Sequence, residues 1–464
     1  MDLIETAPRD PAQTAHLLRP ARPSPNGGYG WVCTLCVLLV NAHTWGVNSA
    51  WAVILAHFLK NSTFPNTSQT EYALIGGLSI SQAFLIGPGV TKIHSMAGTP
   101  ATLLLGTVLE FGGLLAASYA SKVWHLYLTQ GVLFGFGMGF LYIPASSVLP
   151  GWFSTKRSFA IGLAASGAGI GGLVYNLVAG RTIERYGVGT TYKILAFCSL
   201  GANLFSSLLL RERKQAQPDG ESGEGSDRER ERIRALNLQD LKHIEILLLV
   251  FWALMTEFGY VALMYSLPDY ASSIGLTAHQ GSITGAILNL GLAVGRPLVG
   301  YGSDKLGRIT VPTILTASCG LACLVLWVPA HSYAALLVFA LLAGMLCGIF
   351  WNTVTPVVAE VVGLGRLPPV FALVCLIMVV PTTVAEIIAL KLVSGNSYLG
   401  AQVYIACLFL AGSGGLLVLR SWKVYDVERK AADEREGLSR DETSRFPPFM
   451  EWMTLSKLFI KGMV

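Results

Sequence analysis

Four ionisable side chains stand inside long apolar runs of this 464-residue chain: Glu110, Glu257, Arg296 and Glu386. A charge near the centre of a bilayer costs about 2.5–3.5 kcal/mol on insertion scales, so such a residue faces a cavity or a partner. Two kinds of chemistry follow. Burial favours the protonated form of a carboxyl group and suits it to carry a proton, whereas a neighbouring arginine favours the ionised form and makes a structural pair. Arg296 is followed by Pro297, which frees a backbone carbonyl and can bend the helix. Its bland role is an ion pair with Glu257 or Glu386, and that of Glu110 is a hydrogen bond to a neighbouring helix.

Other chemistries lack their residues. Cys33 and Cys36 have metal-ligand spacing but no second pair to complete a site, so no metal is expected. Gly167, Gly169 and Gly172 match a dinucleotide-binding pattern in letters, yet they lie in an apolar run with no preceding strand, where close helix packing explains them. The same holds for Gly131, Gly135 and Gly139, four apart. No Walker loop occurs, and no nucleophile, base and acid gather at one depth, so neither an ATP-driven pump nor an enzyme is expected, and no cofactor. In residues 228–232 the charges alternate as RERER, unlike the single-sign stripe that binds phosphate backbones, so nucleic acid is not an expected partner.

The elements that must position the four buried charges are set by composition. Hydrophobic residues make up 52% of the chain and charged ones 13%, about half the usual charged share, so lipid rather than water is the main solvent. Of the 61 charged residues, 39 fall in residues 1–29, 211–243 and 420–464. Between these lie apolar runs of the length that crosses hydrocarbon, near 31–59, 71–92, 100–120, 124–149, 159–180 and 190–210, then near 244–267, 279–302, 309–329, 333–356, 369–392 and 400–420. The expectation is an all-α membrane protein of twelve spans in two six-helix bundles. It has an N-terminal tail (1–29), a bundle (30–210), a charged linker (211–243), a second bundle (244–421) and a C-terminal tail (422–464).

Orientation follows from the positive-inside rule. With the N-terminus inside, 11 Lys and Arg residues near the spans fall on the cytoplasmic side, among them Lys156, Arg157, Lys305 and Arg308, and five fall outside. The sequons Asn61-Ser62-Thr63 and Asn66-Thr67-Ser68 both lie in the first outside loop, as glycosylation requires. Asp2, Glu5 and five prolines precede the first apolar run, which is not the pattern of a signal peptide. Both termini are expected in the cytoplasm, with the chain in the plasma membrane. In the C-terminal tail, Trp452, Leu455 and Phe459 recur at helical spacing beside Lys457 and Lys461, which predicts a short interfacial helix.

The sharpest local motif is residues 300–308, GYGSDKLGR, at the turn between the eighth and ninth spans. Its glycines permit a tight turn, and Asp304 can pair with a basic residue or cap a helix start. The motif resembles the G-x-x-x-D-x-x-G-R loop of the major facilitator superfamily, which implies a gating role for Asp304 and Arg308. Residues 87–98, GPGVTKIHSMAG, form a degraded counterpart without the aspartate, so gating contacts are expected to differ between the halves. Residues 26–31 (NGGYGW) and 152–162 (WFSTKRSFAIG) resemble the two signatures of the monocarboxylate transporter-like family. The stretches 266–277, 293–308, 359–364 and 380–392 resemble its fungal members. Asn26 replaces the acidic residue of the first signature, so no proton-linked role is carried over to it. Ser49 and Leu292 replace a lysine and an aspartate of the animal branch.

The resemblance covers residues 26–420 and implies a secondary transporter of a small organic anion or related metabolite, working by alternating access, with proton coupling and export as variants. It implies that Arg296 binds the anionic group. In the superfamily the first, fourth, seventh and tenth spans line the cavity, which makes Glu257 the first proton-coupling candidate, Glu386 the second and Glu110 the third. The same spans carry Asn41, His43, Trp45 and Asn48, then Tyr142 and Ser146, Tyr260 and Tyr265, and Trp351 and Asn352. Asn289 lies two turns before Arg296 on nearly the same helical face. So many aromatic residues suggest a ring-bearing or amphiphilic substrate. The alternative function is a sensor or scaffold that keeps the fold and works through its charged tails.

Overall fold

The computed structural model describes residues 26–61, 63–65, 67–213, 241–363, 365–393 and 397–436. The rest of the two tails and the linker lies outside the described residues, as do the expected interfacial helix, Asn66, and the side chains of Asn61 and Glu386.

Among the described residues ten helices are long and apolar enough to cross a membrane, and two glycine turns resolve them, with Gln69–Leu85, into twelve spans. Helix Gly87–Ala117 breaks at Gly98 (φ 77°, ψ 173°), so its first turns continue Gln69–Leu85. Helix Arg157–Leu209 breaks at Gly187 (φ 79°, ψ 168°). A side chain at either φ would be strained, and glycine is not. The first half comprises α1 (Tyr29–His43, Trp45–Ser49 and Trp51–Asn61), α2 (69–97), α3 (99–117), α4 (123–152), α5 (157–186) and α6 (188–209). The second half comprises α7 (Ile244–Ser273), α8 (Ala278–Leu306), α9 (310–327), α10 (Tyr333–Cys347 and Ile349–Val362), α11 (Leu367–Lys391) and α12 (Leu399–Glu436). Six helices stand on each side of the linker, one for each expected apolar run.

The halves repeat each other in detail. In each, the second helix starts on a capping box: Ser68 accepts from the Glu71 amide and Glu71 accepts from that of Ser68 (3.2 and 2.7 Å), while Thr277 and Gln280 do the same (3.3 and 2.9 Å). Intrahelical bonding satisfies the backbone, as hydrocarbon demands. Exposed Val108, Leu177, Phe197, Leu298, Val325 and Val338 face outward on six different helices, a surface suited to lipid.

Between the halves α5 packs along α8 and α2 along α11. A buried apolar cluster joins Phe84 and Tyr142 of the first half to Phe350, Val354 and Phe371 of the second. The glycine row of α5 closes on its neighbours as packing predicts: a Cβ at Gly169 would meet the Ala293 amide at 2.7 Å.

Candidate functional site

Arg296 on α8 and Glu257 on α7 come together in the middle of the molecule, 6% and 2% exposed. The guanidinium reaches across to the other half, where Nη1 donates to the Ala165 carbonyl of α5 at 2.6 Å. Its Nε has no hydrogen-bond partner, and neither does Glu257 Oε2. Trp351 lies beside the Glu257 carboxyl, and Arg296 acts electrostatically on the same group. Tyr142 and Tyr260 lie near both groups, and Tyr265 stands beside Tyr260. Among the described residues no ion pair joins Arg296 to Glu257, so the structural pairing weighed for Arg296 is not formed between these two. A buried cation and a buried carboxyl with unused hydrogen-bonding atoms are costly unless another group completes them.

Two helix breaks shape this place. α1 is interrupted at Thr44 (φ −99°, ψ −77°), next to Trp45, and α10 at Gly348 (φ −78°, ψ 8°), three residues before Trp351. Gly348 is needed for space: a Cβ there would stand 3.1 Å from Arg296 Nε and would collide with Leu292. Interrupted helices at mid-depth mark binding sites in transporters, because irregular backbone is tolerated where it lines a cavity.

Aromatic rings from both halves close over the charges. Phe84 stacks on Trp351 at 5.0 Å and 7°, and Trp45 lies 6.0 Å from Trp351 at 33°. Tyr142 meets Trp45 edge-on at 5.3 Å and Trp351 at 6.1 Å. Phe84 was not legible as a site residue, since it sits on α2 in an unbroken apolar run. Gly348 was equally silent.

Two of the expected asparagines tie helices together, and the third bonds within its own helix. Asn41 donates to the Ala164 carbonyl at 3.2 Å, tying α1 to α5. Asn352 donates to the Arg296 carbonyl at 2.8 Å, tying α10 to α8. Asn289 Nδ2 donates to the Gly285 carbonyl at 3.0 Å, and its Oδ1 faces Gly172 of α5. His43 Nδ1 bonds the Leu39 carbonyl at 2.8 Å, and its ring meets Tyr175 edge-on. Glu110 is fully buried elsewhere in the first half, where Asn203 of α6 donates to Oε2 at 2.8 Å.

At the end of the molecule where residues 26 and 436 lie, a polar latch joins the halves. The Asp304 carboxylate accepts from the Ser158 and Phe159 amides at 3.0 and 2.8 Å, so α8 caps the start of α5. Arg308 donates to the Ser154 carbonyl at 2.5 Å and pairs with Glu360 of α10 at 3.0 Å and Asp304 at 3.6 Å. Glu360 was not singled out from sequence, although it lies in the stretch 359–364. Asn26 reaches the same loop: its Oδ1 accepts from the Ser154 and Thr155 amides at 2.8 and 2.9 Å, and its Nδ2 donates to Ser154 Oγ at 2.9 Å. The degraded motif of the first half carries instead His94, 3.0 Å from Thr99 Oγ1 and 3.7 Å from Glu212. Beside the latch a cleft is lined by Thr91, His94, Ser146, Ser147, Thr355 and Phe371.

Comparison with known proteins accords with this architecture. The chain is 34% identical over 422 residues to the probable transporter MCH2 of Saccharomyces cerevisiae, covering 90% of this chain and 87% of that one. It is 26% identical over 403 residues to the fujikurins efflux protein of Gibberella fujikuroi, covering 86% and 82%. The proton:xylose symporter XylE shares the fold at a TM-score of 0.65 and 13% identity, over 85% of this chain and 95% of that one. The Major Facilitator Superfamily profile matches residues 31–380. The twelve-span fold, the latch joining its halves and these matches make one conclusion: the chain is a membrane transporter and belongs to the major facilitator superfamily.

Proposed function

We propose that this transporter carries a small organic anion or related metabolite by alternating access, with Arg296 receiving the anionic group and Glu257 carrying the coupled proton. One observation carries the reading: a buried guanidinium and a buried carboxyl, each with an unused hydrogen-bonding atom, share one aromatic-walled place between two halves. Tyr142 and Tyr265 complete the wall, while Asn41, His43, Asn289 and Asn352 support it. Glu386 is the second coupling candidate and Glu110 the third.

The chain is read as a monocarboxylate transporter-like member through residues 26–31 and 152–162. It lies in the plasma membrane with both termini, the linker at 211–243 and the latch in the cytoplasm, and with Asn61 and Asn66 glycosylated outside. The efflux named for the Gibberella relative supports export of a specialised metabolite as the form to test first. The test is metabolite profiling of cells with and without the gene, followed by flux of the affected compound in proteoliposomes. An organic acid that changes in cells and moves with an imposed pH gradient is expected. Flux indifferent to the gradient removes the coupling, and a non-acidic substrate removes the anion.

A further inference from the structure

We infer that the central site selects a planar, ring-bearing carboxylate, a deepening that rests on the anion-carrier reading above. The observation is the geometry of rings across the seam. Trp45, Phe84 and Tyr142 belong to the first half and Trp351 and Phe371 to the second, and their contacts cross from one to the other. Phe84 and Trp351 are nearly parallel at 7°, with Trp45 inclined to them by 30° and 33°. These near-parallel rings form a closed stack across the seam, and they become the walls of a flat slot once the halves part. Tyr142 stands edge-on at 89° to Trp45 and 76° to Trp351, the orientation that meets a ring face with a ring edge.

Alternating access requires the halves to separate, and separation breaks the contacts of Trp351 with Phe84, Trp45 and Tyr142 and that of Tyr142 with Phe371. A flat ring entering the slot replaces them on both walls, whereas a saturated chain supplies area without the matching face. Charge recognition is built into the same wall, because Trp351 lies beside the Glu257 carboxyl and Arg296 acts on that carboxyl. Seating the ring therefore brings a carboxylate substituent to the guanidinium. The slot also explains why the site residues are divided between the halves: the ring reads both sides of the seam at once.

The test is equilibrium binding of radiolabelled benzoate to the full chain in lipid nanodiscs, displaced in turn by cyclohexanecarboxylate, propionate and benzamide. Benzoate should bind on the order of tenfold more tightly than cyclohexanecarboxylate, which has the same charge and similar size but is not flat. Phe84→Leu should bring the two close together. Equal displacement by the two ring acids, or no saturable benzoate binding, overturns ring selection, while Arg296-dependent binding of propionate and cyclohexanecarboxylate in the same samples leaves the anion reading standing. Displacement by benzamide as strong as by benzoate overturns the carboxylate, and with it the anion reading. The wild-type displacement series decides the matter without any variant having to fold.

Discussion

Asp304 caps a helix that belongs to the other half of the molecule: its Oδ2 accepts from the Phe159 amide at 2.8 Å. Hydrogen bonds to a charged group contribute about 1.5–3 kcal/mol, and the positive end of α5 adds to this one. Asp304→Asn leaves only one acceptor oxygen and no charge. The latched population should fall about tenfold or more. Alkylation of a cysteine introduced at Ser147, in the cleft beside the latch, reads this; an unchanged labelling rate would show that Asp304 does not hold the latch.

Asn26 does by carboxamide what a carboxylate could do only in part, since it both accepts from two amides and donates to Ser154 Oγ. Asn26→Asp keeps the acceptors, and Asn26→Ala removes all three bonds. The aspartate variant should unfold within about 1 kcal/mol of the native chain and the alanine variant about 1–3 kcal/mol below it. Thermal unfolding in detergent separates them, and equal melting of all three proteins would contradict the assigned role.

Glu110 and Glu257 should behave differently. Glu110 is held by Asn203 within one half, and a glutamine in its place can still accept that bond. Glu257 touches Trp351 and lies in the field of Arg296. Glu257→Gln should therefore abolish stimulation of transport by an imposed pH gradient, with Glu110→Gln retaining it. The reverse pattern would move the coupling site into the first half.

Gly348 leaves room for the arginine. A methyl group there stands 3.1 Å from Arg296 Nε and inside the contact distance of Leu292. Overpacking of this kind costs about 1–3 kcal/mol. Gly348→Ala should lower substrate affinity at least as much as it lowers stability, measured by binding and melting on the same sample. A variant with native affinity would mean that the guanidinium is not confined at this point.

Hydropathy and charge made the scaffold legible. The runs near 100–120 and 190–210 are the helices after Gly98 and Gly187, while residues 300–306, expected in a turn, end α8 and only 307–309 turn. Mid-depth charges also led to Arg296 and Glu257, because a charge in hydrocarbon stands out against its neighbours. What stayed hidden was direction. A span buried on most sides has little amphipathic period to show which face meets the seam. Asn41, Asn289 and Asn352 stand out in the sequence as polar positions on buried spans, but that each donates its amide to a backbone carbonyl does not. Phe84 and Gly348 looked like ordinary apolar positions for the same reason. Glu360 and Asn26 act through partners more than 50 residues away, beyond the reach of local spacing.

The account turns on Arg296 as the receptor for an anion. Its most direct measurement is exchange of a radiolabelled organic acid across proteoliposomes holding either the native chain or Arg296→Ala, with equal amounts of folded protein confirmed by gel filtration. Exchange should fall to the background of protein-free vesicles in the variant. Full exchange by Arg296→Ala would contradict the anion site.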